Sequence, residues 1–196
     1  MSPEFRELNP TSIAEVVTRI AALEPRLGGR ALICIDGRSC SGKTTLASEL
    51  ESALGATVVH LEYLYHGWTG LEAGVKTAVS HVLEPISRGE TAVVPQWDWY
   101  VGGWGQPVDL PVPTLLILEG VGAASASVRD YASLSIWLEV PEADRRARAQ
   151  ARDWDTFADH WDDWAAQEDQ LFARERLPDH ADLVLVGENA TVSDSS

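Results

Sequence analysis

Between Gly37 and Thr44 the chain reads GRSCSGKT, which fits the phosphate-loop pattern G-x-x-x-x-G-K-[ST]. Each residue type in that string has a use in holding a phosphate chain. Gly37 and Gly42 permit a tight loop and a close approach of an anion to the backbone. The backbone around Ser39, Cys40, Ser41, Gly42, Lys43, Thr44 and Thr45 then turns N–H groups and a helix N-terminus toward that anion. Lys43 is expected to neutralise β- and γ-phosphates, and the Thr44 hydroxyl to ligate Mg²⁺. The flanking sequence supplies the required context: the apolar run Ala31 to Ile35 leads in, and Leu46, Leu50 and Leu54 at helical spacing lead out. The expected partner is a nucleoside triphosphate. Cys40 is either a thiol activated by the helix N-terminus or a residue that simply fits there.

Other groups could serve the same chemistry. The apolar run ending Leu118-Glu119-Gly120 puts a carboxylate at a strand end, where it can hold Mg²⁺ or its water. Glu62, in EYLYHGW, stands among titratable and aromatic groups, and as a general base it would need hydrogen-bond reach to a hydroxyl. Its other reading is a surface carboxylate or helix cap. Tyr65 and Trp68 either line an acceptor pocket or pack in the core. In QWDWY, Trp97 offers a flat wall and Asp98 a carboxylate to fix a polar acceptor; the alternative is a minor apolar cluster under a long loop. Arg145, Arg148 and Arg152 recur at i, i+3 and i+7, along one helix face. Arg148 and Arg152 are assigned to the charge that spreads over a transferring phosphoryl group, a solvated basic face being the alternative. No Asn-Lys-x-Asp guanine motif occurs, and the second buried strand does not end in the Asp of motor-type ATPases. The five histidines show no zinc-ligand spacing with cysteine.

Taken in order, IDGRSCSGKTT (35–45), EYLY (62–65), Trp97-Asp98, Leu118-Glu119-Gly120 and the series Arg145, Arg148, Arg152-Asp153 resemble uridine kinase and related P-loop small-molecule kinases. The resemblance runs from about Ala31 to Val186. It implies ATP as co-substrate, Mg²⁺, and phosphoryl transfer to the hydroxyl of a small molecule, a nucleoside first. It also implies that the carboxylate after the second strand is the base on the acceptor hydroxyl and approaches Mg²⁺. Glu62 stands there, one methylene longer than the family's Asp. The helix holding the arginines would form a lid, about 141–156, that closes over ATP and excludes water.

Positioning these groups requires a sheet and helices. Ile13, Val16, Val17, Ile20 and Leu23 predict a helix, with Ser12 and Glu15 as its capping box. Strands are predicted at Ala31–Ile35, Thr57–Leu61, Leu115–Leu118, Leu134–Leu138 and Leu183–Val186, with Thr91–Val94 a candidate short strand. Leu71 through Ile86 reads as one amphipathic helix, Tyr100–Pro113 as a loop, and Phe157, Trp161, Trp164, Leu171 and Phe172 as one face of a further helix. Strands alternating with helices give an α/β fold: a P-loop three-layer sandwich with a five-stranded parallel sheet and a small helical lid, in one domain over 1–196. Ligands are expected at the carboxyl ends of the strands.

Composition narrows the partners. The chain has 196 residues, 45% hydrophobic and 23% charged, with a net charge of −15. That charge argues against nucleic acid. Residues 153–182 hold ten acids against two arginines and read as a solvated helix face. Glu142–Arg152 holds four arginines against two acids, a patch suited to a small anion. No apolar run reaches the roughly 18 residues of a membrane span, and no signal-peptide h-region is visible. Cys34 and Cys40 read as reduced thiols of a cytoplasmic protein. A P-loop ATPase or nucleotide-dependent switch, and a non-catalytic nucleotide-binding module, stand as alternatives. The acceptor, the nucleotide base and the oligomeric state are left open.

Overall fold

The structure, a computed structural model, describes residues 4–152 and 157–187. In chain order its elements are β1 (Glu4–Glu7), α1 (Pro10–Ile20), β2 (Ala31–Gly37), α2 (Lys43–Leu54), β3 (Thr57–His60), α3 (Leu71–Ala78) and α4 (Glu84–Ser87). There follow β4 (Ala92–Val94), β5 (Trp97–Asp98), β6 (Gly103–Trp104), β7 (Val108–Leu110), β8 (Leu115–Glu119), α5 (Ala126–Arg129), β9 (Leu134–Glu139), α6 (Glu142–Arg152), α7 (Trp161–Glu175) and β10 (Leu183–Val186).

Alternation along the strands builds the layers. On β2, Leu32 and Cys34 point to one face and Ile33 and Ile35 to the other, and all four are fully buried. The first face packs with Leu116, Leu118 and Val184 against Leu71, Val75 and Leu83 of the α3–α4 region and Trp164, Leu171 and Phe172 of α7. The second packs with Ile117, Ile136 and Leu185 against Val16 and Ile20 of α1 and Leu46 and Leu50 of α2. A strand buried on both faces reads as a continuous apolar run, which is why these strands are visible in the sequence.

The main sheet is six-stranded and parallel, in the order β1-β10-β9-β2-β8-β3, not five-stranded as expected. The extra strand is β1, paired with β10 from Glu4↔Leu183 to Glu7↔Val186. Glu4, Arg6 and Glu7 are exposed. Charged residues suit an edge strand but carry no apolar period to announce one. Ala92–Val94 does form a strand, but it pairs antiparallel with β7, inside the stretch expected to be loop. Beside it β5 and β6 form a second two-stranded ribbon.

Two helix expectations shift. Asn9, not Ser12, caps α1: its Oδ1 accepts from Ser12 N–H at 3.0 Å while Ser12 Oγ accepts from Asn9 N–H at 2.9 Å, with Pro10 at the first turn. Glu15 pairs instead with Arg6. The single helix expected over 71–86 is broken by a π-helical turn at Val79–Leu83. Pro85, without an N–H, cannot continue an ordinary ladder, and the widened turn accommodates it. The end of the expected lid, 153–156 with Asp153, lies outside the described residues. Among the described residues no helix is long and apolar enough to cross a membrane.

Strand order reverses at β2, with β8 and β3 on one side and β9 and β10 on the other. The carboxyl ends of β2, β3, β8 and β9 deliver Gly37, His60, Glu119 and Glu139 to the crevice that such a reversal opens.

Candidate active site

The loop leaving β2 bends through left-handed positions at Gly37 (φ 144°), Cys40 (φ 63°) and Gly42 (φ 99°). At Gly37 a Cβ would sit 2.6 Å from the Leu138 carbonyl oxygen, so only glycine fits. Cys40 holds a conformation that L residues seldom adopt, so its surroundings must fix it. Lys43 arches back over the loop, its Nζ donating to the Arg38 carbonyl at 2.8 Å. The helix α2 begins at Gly42, which has no side chain to cap it. Its first N–H groups therefore face outward without intrahelical partners. The Ser41 hydroxyl is buried and has no hydrogen-bond partner among the described residues. An uncapped helix end, a bent loop and a lysine spanning it form a cradle that fits the phosphates of a nucleotide.

Beneath the cradle lies Asp36, fully buried. Its carboxylate accepts N–H groups from Gly37 (2.7 Å), Gly122 (2.9 Å) and Ala124 (2.8 Å). Burial pushes its pKa up to about 6, against the opposing pull of those three donors and Lys43. Asp36 thus ties the start of the loop to the turn after β8. That turn needs Gly120, at φ 140°, because a Cβ would meet Leu61 Cβ at 2.6 Å.

Three polar side chains meet at the strand ends. Thr44 Oγ1 donates to Glu119 Oε1 at 3.2 Å, and His60 Nδ1 lies 2.6 Å from the same oxygen. The hydrogen bond to Glu119 raises the His60 pKa. A hydroxyl and a carboxylate at one point are hard oxygen ligands of the kind Mg²⁺ takes. Glu62 sits in a 3₁₀ turn, Leu61–Tyr63, directly after β3. It faces the cleft, and its pKa is raised first by crowding against protein atoms and then by Glu119. His60 was not singled out by sequence. The clue is its register opposite Glu119, readable only once β3 is known to lie beside β8.

Loop residues 39–45, Glu62, Tyr65, Trp68, Glu119, Arg148 and Arg152 line one cleft of about 1120 Å³. Gly37 shapes the loop from below and is not in its wall. Trp68 is the hub of the aromatic side: its ring centroid is 4.9 Å from Trp99, 5.2 Å from Phe157 and 6.1 Å from Trp164, and it stacks on His160 at 4.6 Å. Tyr65 packs on Trp164 at 5.1 Å and donates its hydroxyl to the Val121 carbonyl at 2.8 Å. Trp97 and Asp98 are not in this wall. Trp97 packs on Trp104 at 5.3 Å. Asp98 caps its own turn, accepting from the N–H groups of Tyr100 (2.9 Å) and Val101 (3.0 Å). The residues that reach the cleft are Trp99 and Tyr100. Trp99 also donates its indole N–H to the Glu62 carbonyl at 3.0 Å.

The three arginines divide. Arg145 is buried and turned inward, donating to the carbonyls of Val140 (3.2 Å) and Ser39 (3.3 Å). Desolvation lowers its pKa. Arg148 donates to the carbonyls of Cys40 and Ser41, both at 3.3 Å, at the lip of the cradle. The Arg152 guanidinium lies 5.9 Å from the Phe157 ring centroid. Sequence reasoning also passed over Glu168, which holds Ser39 from α7.

The reversing six-stranded parallel sheet, with helices on both faces and a glycine-rich loop running into α2, defines the class: an α/β protein with a central parallel sheet. No protein-family model matches the chain, and no curated protein does. Solved structures do, and those that follow are uridine kinase-like and related P-loop kinases. A possible uridine kinase from Bacillus stearothermophilus matches with a TM-score of 0.64 and 22% identity, over 89% of this chain and 97% of that one. A putative fructose transport system kinase from Silicibacter sp. TM1040 matches with a TM-score of 0.60 and 23% identity, over 88% and 98%. A D-glycerate 3-kinase from Cryptococcus neoformans has a TM-score of 0.54 and 10% identity, over 90% and 91%. The likeness is one of fold.

Proposed function

We propose that the protein is a phosphotransferase that moves the γ-phosphoryl group of ATP to the hydroxyl of a small molecule, a nucleoside being the first acceptor class to test. The observation that carries this reading is the single cleft in which the phosphate loop, Glu62, Glu119, Arg148 and Arg152 meet an aromatic wall. Its volume, about 1120 Å³, exceeds that of most single-ligand pockets and suits two substrates side by side.

In this scheme the α2 N-terminus and Lys43 hold the triphosphate. Glu62 accepts the proton of the acceptor hydroxyl as its oxygen bonds to the γ-phosphorus and the bond to ADP breaks. Arg148 and Arg152 stabilise charge on the transferring group. Thr44 and Glu119 would hold Mg²⁺, which when bound neutralises phosphate oxygens. Tyr65 and Trp68 orient the acceptor and keep water out.

The test is a transfer screen of nucleosides, sugars and vitamin alcohols with Mg·ATP, read by mass. The expected result is an acceptor that gains one phosphoryl group and accelerates ADP release. ATP turnover that no hydroxyl compound stimulates overturns the reading in favour of an ATPase or switch.

A further inference from the structure

Glu168, on α7, is only 1% exposed and stands 129 residues from the loop it holds. Its Oε1 accepts from Ser39 N–H at 2.8 Å, from Ser39 Oγ at 2.7 Å and from the Trp164 indole N–H at 3.1 Å. Its Oε2 lies 3.5 Å from the Arg38 guanidinium. A carboxylate survives such burial only when its lone pairs are used. The opposite side of Ser39 is held as well, since its carbonyl accepts from Arg145 at 3.3 Å. The apex of the phosphate loop is therefore gripped at its N–H by α7 and at its carbonyl by α6. The next residue is Cys40, whose left-handed backbone needs such a hold.

Trp164 has a second commitment. Its ring lines the cleft, packed on Tyr65 at 5.1 Å and on Trp68 at 6.1 Å. One carboxylate oxygen thus joins the phosphate loop to the aromatic wall.

We propose that Glu168 is a positioning residue: it keeps the loop apex in its phosphate-binding shape, and the indole N–H of Trp164 is part of that hold. The proposal rests on the phosphotransferase reading above for its use, and on the Ser39 contacts for its geometry. Glu168→Gln retains a carbonyl oxygen for Ser39, Glu168→Ala retains none, and Trp164→Phe keeps a ring in the wall but removes its N–H.

Two measurements on the full chain test it: hydrogen exchange of the Ser39 amide by NMR without nucleotide, and calorimetric titration with Mg·ATP. Both are made at a temperature where far-ultraviolet dichroism matches the parent. Glu168→Ala should speed Ser39 exchange and weaken Mg·ATP by roughly tenfold or more, a charge-assisted bond being lost. Glu168→Gln should stay within about threefold of the parent in both, and Trp164→Phe should fall between. Parent-like exchange and affinity in Glu168→Ala overturn the proposal, as does equal damage in Glu168→Gln, which would point to charge balance alone. If Glu168→Ala does not fold, Trp164→Phe decides, and unchanged Ser39 exchange there overturns the role. If the parent takes up no Mg·ATP, the phosphotransferase reading fails, while Ser39 exchange still judges the Glu168 hold.

Discussion

The His60 imidazole and the Glu119 carboxylate bind each other, Nδ1 to Oε1 at 2.6 Å, from the ends of two neighbouring parallel strands. This contact raises the His60 pKa above its ordinary 6.5. A raised pKa in the folded state means that protonated His60 stabilises the fold. That contribution is complete below about pH 6.5 and is lost as pH climbs through the folded-state value. Thermal melts of the parent and His60→Gln should therefore lie furthest apart in mild acid and converge in mild alkali. A constant gap across that range contradicts the pairing.

Glu119 also receives the Thr44 hydroxyl at 3.2 Å, which puts it where a divalent cation would need an oxygen. Glu119→Gln should weaken Mg·ATP binding by roughly tenfold while leaving ATP binding in excess chelator near the parent's. Calorimetry with and without Mg²⁺ measures both.

Glu62 faces the cleft with a pKa raised above 4.5. Glu62→Gln should lower the transfer rate by roughly 10²–10⁴ and change ATP affinity less than about twofold. As a base Glu62 works deprotonated. The acid limb of the parent's kcat/KM profile should therefore lie above pH 4.5, because protonation sets in earlier than for an ordinary glutamate. An acid limb at or below that value would show that another group limits the rate.

Asp36 links the cradle to the turn after β8 and carries a pKa pushed up to about 6 from 3.8. Its ionised form is the costly one in the fold. The associated stabilisation is full below 3.8 and lost as pH rises through about 6. Relative to Asp36→Asn, the parent should gain roughly 3 kcal/mol on going from neutral pH to about pH 4. Denaturant unfolding at a series of pH values reads this difference.

Trp99 lines the cleft and holds the Glu62 carbonyl, whereas Trp97 packs on Trp104. Trp99→Phe should raise the acceptor KM roughly tenfold. Trp97→Phe should leave it within about twofold. Steady-state kinetics with the acceptor found by the transfer screen distinguishes them, and equal effects would mean that the ribbon acts as one unit.

What the sequence determined by itself is local. GRSCSGKT is contiguous, and its glycines, lysine and threonine act through the backbone of one loop and one helix turn, so the cradle is readable without a fold. The apolar strands and helices follow from periodicity for the same reason, and Glu62 and Glu119 are found by counting past the ends of such strands. The tertiary structure decided what depends on register. The β1 strand exists only because β10 presents an edge to it, since its charged residues carry no period of their own. The choice of Trp99 over Trp97 is set by where β5 ends: Trp97 pairs opposite Trp104 inside the ribbon, whereas Trp99 lies in the turn beyond it, and the sequence does not show that boundary until the ribbon pairs. His60 meets Glu119 across 59 residues and Glu168 meets Ser39 across 129. Contacts at such separations are set by how strands line up and helices pack, and no local spacing encodes either.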